Sequence, residues 1–135
     1  MKWMLMPLRR YADFSGRSRR KEYWMFMLLN VIVSTIIMLL GLWGAESRLF
    51  SSDDELMLYF LLTAVPWSLA LFIPGLALTI RRLHDLDKSG WHIFFGLIPI
   101  VGGIILLIWY CTEGTRGPNQ YGPDPLAQDS AQIFA

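Results

Sequence analysis

The chain has 135 residues, 54% of them hydrophobic, with one cysteine and a net charge of +1. That is room for a single compact unit, and it excludes an intrachain disulfide, a multi-cysteine metal knot and a polycationic nucleic-acid binder. The charged 17% is confined to short segments around three charge-free stretches, Tyr23–Ala45, Leu56–Ile80 and Ser89–Thr112, of 23, 25 and 24 residues.

A helix rises about 1.5 Å per residue, and roughly 20 apolar residues cross a hydrocarbon core near 30 Å thick. A soluble chain of this length has no core deep enough to hide three helices that are apolar on every face. The expected fold is an all-α integral membrane protein with three transmembrane helices at about 23–43, 56–80 and 91–111. A basic juxtamembrane segment precedes them and an irregular Gly/Pro-rich tail follows. Residues 1–125 are expected to form one membrane domain, with 126–135 a disordered tail.

Met1–Leu8 is too short for the apolar core of a cleavable signal, and Arg9 and Arg10 follow it at once, so no cleaved leader is expected. The segment Arg17-Ser18-Arg19-Arg20-Lys21-Glu22 then brings its basic residues directly against the first span. Such a segment anchors topology, and it can also grip anionic lipid headgroups. The first span carries Asn30 and Ser34 one turn apart, and Trp24 and Trp43, 19 residues apart, mark two interfaces about 28 Å from each other. Ser52 begins a capping box with Glu55 at the start of the second span. Pro66, Pro74 and Gly75 should kink that helix, with Thr63, Ser68 and Thr79 near the backbone groups they free. Ser89 is the expected N-cap of the third span, where Gly96, Pro99, Gly102 and Gly103 form a small-residue stripe suited to close helix approach.

Between the second and third spans, Arg81 and Asp85 are spaced to pair if the helix continues that far. His84, Asp85, Asp87 and His92 match no metal-binding spacing, and no nucleophile accompanies the His84–Asp85 pair, so neither a metal, nor a cofactor, nor a catalytic residue is expected. The tail from Glu113 to Pro125 is turn chemistry, with Asn119 and Asp124 the residues expected to hold a turn. Ten basic residues fall in the first and third charged segments and two in the others. The positive-inside rule therefore places the N-terminus and the 81–88 loop in the cytoplasm. With three spans the C-terminus lies on the opposite face, unless the third segment turns back.

Three motifs coincide in this order: Phe14-x-Gly16-Arg17-x-x-Arg20-x-Glu22-Tyr23-Trp24, then Arg81-Arg82-Leu83-His84-Asp85-x-x-x-Ser89-Gly90-Trp91, then Gly114-Thr115-x-Gly117-x-Asn119-x-Tyr121-Gly122-x-Asp124-Pro125. Together they resemble the YhaH-like family of small bacterial inner-membrane proteins, a domain of unknown function (805). The resemblance covers nearly the whole chain. It implies a multi-pass protein of the bacterial cytoplasmic membrane and no activity, substrate or cofactor. It directs attention to Gly16, Arg17, Arg20, Glu22, Arg81, Arg82, His84, Asp85, Asn119 and Asp124.

The function expected first is that of a non-enzymatic structural or interaction protein whose charged rim (Arg17, Arg20, Glu22, Arg81, Arg82, His84 and Asp85) binds membrane lipid headgroups or a membrane partner. It could assemble as a homo-oligomer through the glycine-bearing third span. The alternative is an oligomeric channel or transporter lined by Asn30, Ser34, Thr63 and Ser68. A membrane-embedded enzyme using His84 and Asp85 is the third class.

Overall fold

The computed structural model describes residues 2–127, and most of the tail expected to be loose, 128–135, lies outside the described residues. Among the described residues the chain runs through α1 (Lys2–Arg9), α2 (Arg20–Glu46), α3 (Asp53–Asp85) and α4 (Val101–Cys111), with a 3-10 helix at Gly90–Leu97 between the last two. At 1.5 Å per residue, α2 is about 40 Å long and α3 about 50 Å, so each exceeds a hydrocarbon core. Only 11% of the most apolar stretch of α2 and 6% of that of α3 is buried within the protein. A core helix of a water-soluble domain would have that face covered. Here it is bare, as lipid-facing helices are.

Burial is concentrated at one end. The packed core comprises Tyr23 and Phe26 from the start of α2, Leu71, Ala77, Leu78 and Leu83 from the second half of α3, and Leu106 and Tyr110 from α4. Leu8 of α1 packs against the same cluster. Towards the opposite end α2 and α3 meet through aromatic side chains, where Tyr59 donates its hydroxyl to the Ile37 carbonyl at 2.9 Å. Ser52 caps α3 as its sequence suggests, its Oγ accepting from Glu55 N–H at 3.3 Å.

Pro66 and Pro74 lie inside a continuous α3. Pro74 has no N–H, so the carbonyl of Ala70 four residues earlier loses its helical donor. Tyr11, just after α1, supplies the replacement, donating its hydroxyl to Ala70 O at 2.7 Å. The second proline of α3 thus becomes the point at which the N-terminal segment is fastened to the helix.

The third apolar stretch departs from the expected single helix over 91–111. It is a hairpin of a 3-10 arm and an α-helical arm that fold onto each other, with Phe95 and His92 both edge-on to Trp109 at ring separations of 5.4 and 5.5 Å. Pro99 disfavours helix at Ile98 before it, and Ile100 turns the chain with φ of 63°. Gly102 then lies so close to the Phe95 carbonyl that a Cβ would overlap it. Of the small-residue stripe, Gly102 therefore serves approach within the chain. At 2.0 and 1.5 Å per residue both arms measure about 16 Å, half a hydrocarbon core. Ser89 caps the first arm, accepting from Trp91 N–H at 3.4 Å.

Two neighbouring glycines test this geometry. Gly102→Ala should lower the thermal unfolding midpoint of the detergent-solubilised protein or prevent its folding. Gly103→Ala, where a Cβ meets nothing within 4 Å, should leave the midpoint unchanged or raise it through the better helix propensity of alanine, worth up to about 1 kcal/mol.

Candidate functional site

Because the hairpin returns the chain to where it entered, the N-terminal basic segment, the end of α3 and the tail meet. Asp85, only 5% exposed, stands at the junction. Arg17 Nε donates to Asp85 Oδ1 at 3.0 Å and Arg82 Nη1 donates to Oδ2 at 2.5 Å. Arg17 also donates to the carbonyls of Thr115 and Gly117, the latter at 2.6 Å. From the tail, Thr115 N–H donates to the Asp85 carbonyl at 2.8 Å. Gly114 lies against the Asp85 carboxylate, where a Cβ would overlap it.

Arg82, fully buried, reaches on to the carbonyls of Trp109, Tyr110 and Thr112. Arg20 donates to Cys111 O at 2.9 Å. These are the carbonyls that a helix leaves without donors at its C-terminus. Two guanidinium groups therefore cap α4 and oppose the negative end of its dipole. The geometry needs arginine, because one planar group with five donors can serve a carboxylate and several carbonyls together.

The spacing of Arg81 and Asp85 suggests a pair, but the helix does continue to Asp85 and the two face different partners. Arg81, fully buried, lies 3.6 Å from Glu22 Oε1. His84 Nδ1 is 3.2 Å from the Gly16 carbonyl, and its ring stacks on Tyr121 at 3.9 Å. Asn119 donates to the His84 carbonyl at 2.9 Å. Asp124 closes the tail turn, accepting from Gly117 N–H at 3.0 Å and Leu126 N–H at 2.8 Å. Desolvation alone would raise the Asp124 carboxyl, but these backbone donors and the nearby Arg17 hold it below its ordinary range.

All nine charged-rim and tail-turn residues named from the sequence thus belong to one assembly. Sequence reasoning did not give roles to Thr115, Gly114, Tyr121 or the carbonyls of 109–112. The third motif contained the first three, but nothing in their spacing reveals that Gly114 and Thr115 pack on Asp85 and Tyr121 on His84. Of the polar residues inside the spans, Asn30, Ser34 and Ser68 line a groove of about 770 Å³ between α2 and α3, and Thr63 does not. Their hydroxyls are engaged locally, Ser34 with Asn30 Oδ1 and Ser68 with the Val65 carbonyl.

Beside the cluster lies a second cavity of about 490 Å³. Its lining includes the basic Arg19, Arg20 and Lys21, the acidic Glu113 and Asp124, and the apolar surface of Trp24 and Leu126. Trp3 of α1 sits beneath two of its cations, 5.1 Å from the Arg19 guanidinium and 5.7 Å from Lys21 Nζ. Among the described residues no three His, Cys, Asp or Glu side chains gather to hold a metal.

Fold and site together define a helical membrane protein with its packed core and buried charges collected at one end. The family model of proteins of unknown function DUF805 matches residues 11–123. The inner membrane protein YhaI of Escherichia coli K12 is 50% identical over 127 residues, covering 93% of this chain and 96% of that protein. The inner membrane protein YhaH of the same strain is 39% identical over 125 residues, covering 93% and 97%. The uncharacterized protein YiiR of that strain is 26% identical, covering 83% of this chain and 85% of its own. No solved structure matches. The chain belongs to the DUF805 family, and its two long apolar helices are candidate membrane spans, in keeping with the inner membrane proteins it is similar to.

Removing one partner of a buried ion pair strands the other charge, at a cost of about 3–5 kcal/mol. Asp85→Ala and Arg82→Leu should therefore abolish or severely reduce the folded fraction by size-exclusion in detergent, whereas Arg116→Ala, exposed on the tail, should behave as wild type. The lowered Asp124 carboxyl gives a second outcome. Its contribution is fully present above the ordinary carboxylate value and is lost as pH falls through its own lower one. Proteolytic protection of the tail should weaken across that acid window, and Asp124→Asn should remove most of the dependence.

Proposed function

We propose that this protein is a non-enzymatic membrane protein whose cytoplasmic rim holds a phospholipid headgroup. In this reading α2 and α3 cross the membrane, the hairpin enters and leaves from the cytoplasmic side, and both the N-terminal segment and the tail lie in the cytoplasm. The positive-inside distribution supports the orientation, since ten of twelve basic residues then face inward or lie at that rim, and Arg116 joins them. The half-core length of the hairpin arms supports the two-span count.

The observation that carries the lipid reading is the cavity at the rim. Arg19, Arg20 and Lys21 line it where charged end and bare helices meet, and Trp24, 41% exposed, stands at its membrane edge. A phosphate there meets a basic segment, and a basic residue near a membrane surface is worth on the order of 1 kcal/mol. An acyl chain leaving that phosphate meets Trp24 and the apolar face of α2. The competing classes are less well supplied. Asp85 has both carboxylate oxygens held by arginines, and the His84 ring is sandwiched against Tyr121, so neither is placed to shuttle protons to a substrate. The polar residues of the interhelical groove spend their hydroxyls on their own helices.

Native mass spectrometry of protein extracted in mild detergent tests this reading. Wild type should retain phospholipid adducts that are lost in large part from Lys21→Ala/Arg19→Ala. Equal adduct populations in the two proteins would contradict it.

A further inference from the structure

The N-terminal segment reaches further along α3 than its charge suggests. Tyr11 donates its hydroxyl to the Ala70 carbonyl at 2.7 Å. Ala70 lies well inside the charge-free stretch, about 15 Å along the helix from Ile80, the last residue before Arg81. A tyrosine side chain is shorter than that, so the backbone at residue 11 itself sits on the membrane side of the level where charge resumes. Leu69 and Phe72, neighbours of Ala70 in the chain, are 66% and 64% exposed, and Tyr11 is 43% exposed. Both ends of the segment are at the rim. Trp3 stands beside the Arg19 guanidinium and Lys21 Nζ, and Arg17 is bonded to Asp85. Between them Pro7 is fully buried and Leu8 packs on the core, while Leu5 and Phe14 remain exposed. The chain leaves the rim, passes residue 11 at depth, and returns.

The polar groups of this excursion are engaged within it. Arg10 donates to Asp13 Oδ2 at 2.7 Å and to the Ser15 carbonyl at 3.1 Å. Asp13 Oδ1 accepts from both the N–H and the hydroxyl of Ser15. Fewer groups then depend on water, as a segment close to hydrocarbon requires. The Arg10 guanidinium ends beside Gly16, whose carbonyl is 3.2 Å from His84 Nδ1 at the rim. Its charge is thus carried back towards the headgroups, as in a snorkelling side chain. The side chains of Arg10 and Asp13 remain 36% and 39% exposed, which suits the headgroup boundary and not the hydrocarbon. Resting on α3 crossing the membrane, as proposed above, and not on the headgroup site, we infer that residues 3–15 form a wedge in the cytoplasmic leaflet, with Leu5, Tyr11 and Phe14 against lipid at the headgroup–acyl boundary. An arm standing in the cytoplasm would leave those three side chains in water. The wedge covers them with the same lipid that covers the bare face of α3. The fastening of Tyr11 to the carbonyl freed by Pro74 holds it at one depth.

The experiment uses the full chain in a Cys111→Ser background with single cysteines at four exposed positions: Leu5→Cys, Phe14→Cys, Leu69→Cys and Arg116→Cys. Each carries a bimane fluorophore and is reconstituted in phosphatidylcholine vesicles spin-labelled either near the ester carbonyls or near the chain ends. Leu5→Cys and Phe14→Cys should be quenched more strongly by the shallow label, with fitted depths of about 5–10 Å, as for a segment lying in the interface. Leu69→Cys should be quenched more strongly by the deep label, and Arg116→Cys by neither. If Leu5→Cys and Phe14→Cys stay as bright as Arg116→Cys while Leu69→Cys is quenched, the wedge is overturned and the spanning helix stands. If Leu69→Cys is unquenched as well, both are overturned.

Discussion

The structure depends on one carboxylate. Asp85 ends the longest helix, and its two oxygens are divided between an arginine from the N-terminal segment and one from its own helix. Through Arg17 it is tied to the carbonyls of the tail, and through Arg82 to the C-terminus of α4. Segments 68 residues upstream and 30 residues downstream are thereby fixed to a single point. A buried ion pair is weak evidence of stability, because desolvation offsets much of the Coulomb attraction. Its value here is specificity. A hairpin with apolar surfaces can slide over other apolar surfaces in lipid, but only one register places three carbonyls within reach of Arg82.

Lipid as solvent explains why the polar groups are spent as they are. Backbone groups near the hydrocarbon cannot turn to water, so each must find a partner within the protein. The hairpin breaks helical bonding at Pro99 and ends α4 near the rim, and arginines 82 and 20 answer the carbonyls left over. Pro74 opens a carbonyl in α3, and Tyr11 closes it. In one case a proline inside a helix and in the other the end of a helix leaves acceptors, and side chains from distant segments are recruited to them. The interruptions become joints.

Much of this was legible in the sequence, and the part that was not has a definite reason. Charge-free length revealed α2 and α3, and serines 52 and 89 revealed where helical segments begin, because these signals are local. Length misled over 89–112, where a composition fit for one span is used for two half-length arms. Pro99 and Gly102 were visible, yet the same residues suit either a kinked span or a turn, and only the register of Phe95 against Gly102 decides between them. Likewise the charged residues of the rim were found by type, but their pairing was not. Arg81 and Arg82 are adjacent on the helix, and a rotation of about 100° sends one to Glu22 and the other to Asp85. That choice is made by the hairpin and the tail, which no spacing rule brings into view.

Cysteine accessibility tests the central account most directly. In a Cys111→Ser background, single cysteines at Ser47, Asp87 and Gln120 would be probed with a membrane-impermeant maleimide in intact spheroplasts and in inverted vesicles. With the third apolar stretch returning to its side of entry, Gln120→Cys labels in inverted vesicles together with Asp87→Cys, while Ser47→Cys labels in spheroplasts. Labelling of Gln120→Cys from the outside, alongside Ser47→Cys, would contradict the joining of the three segments at Asp85.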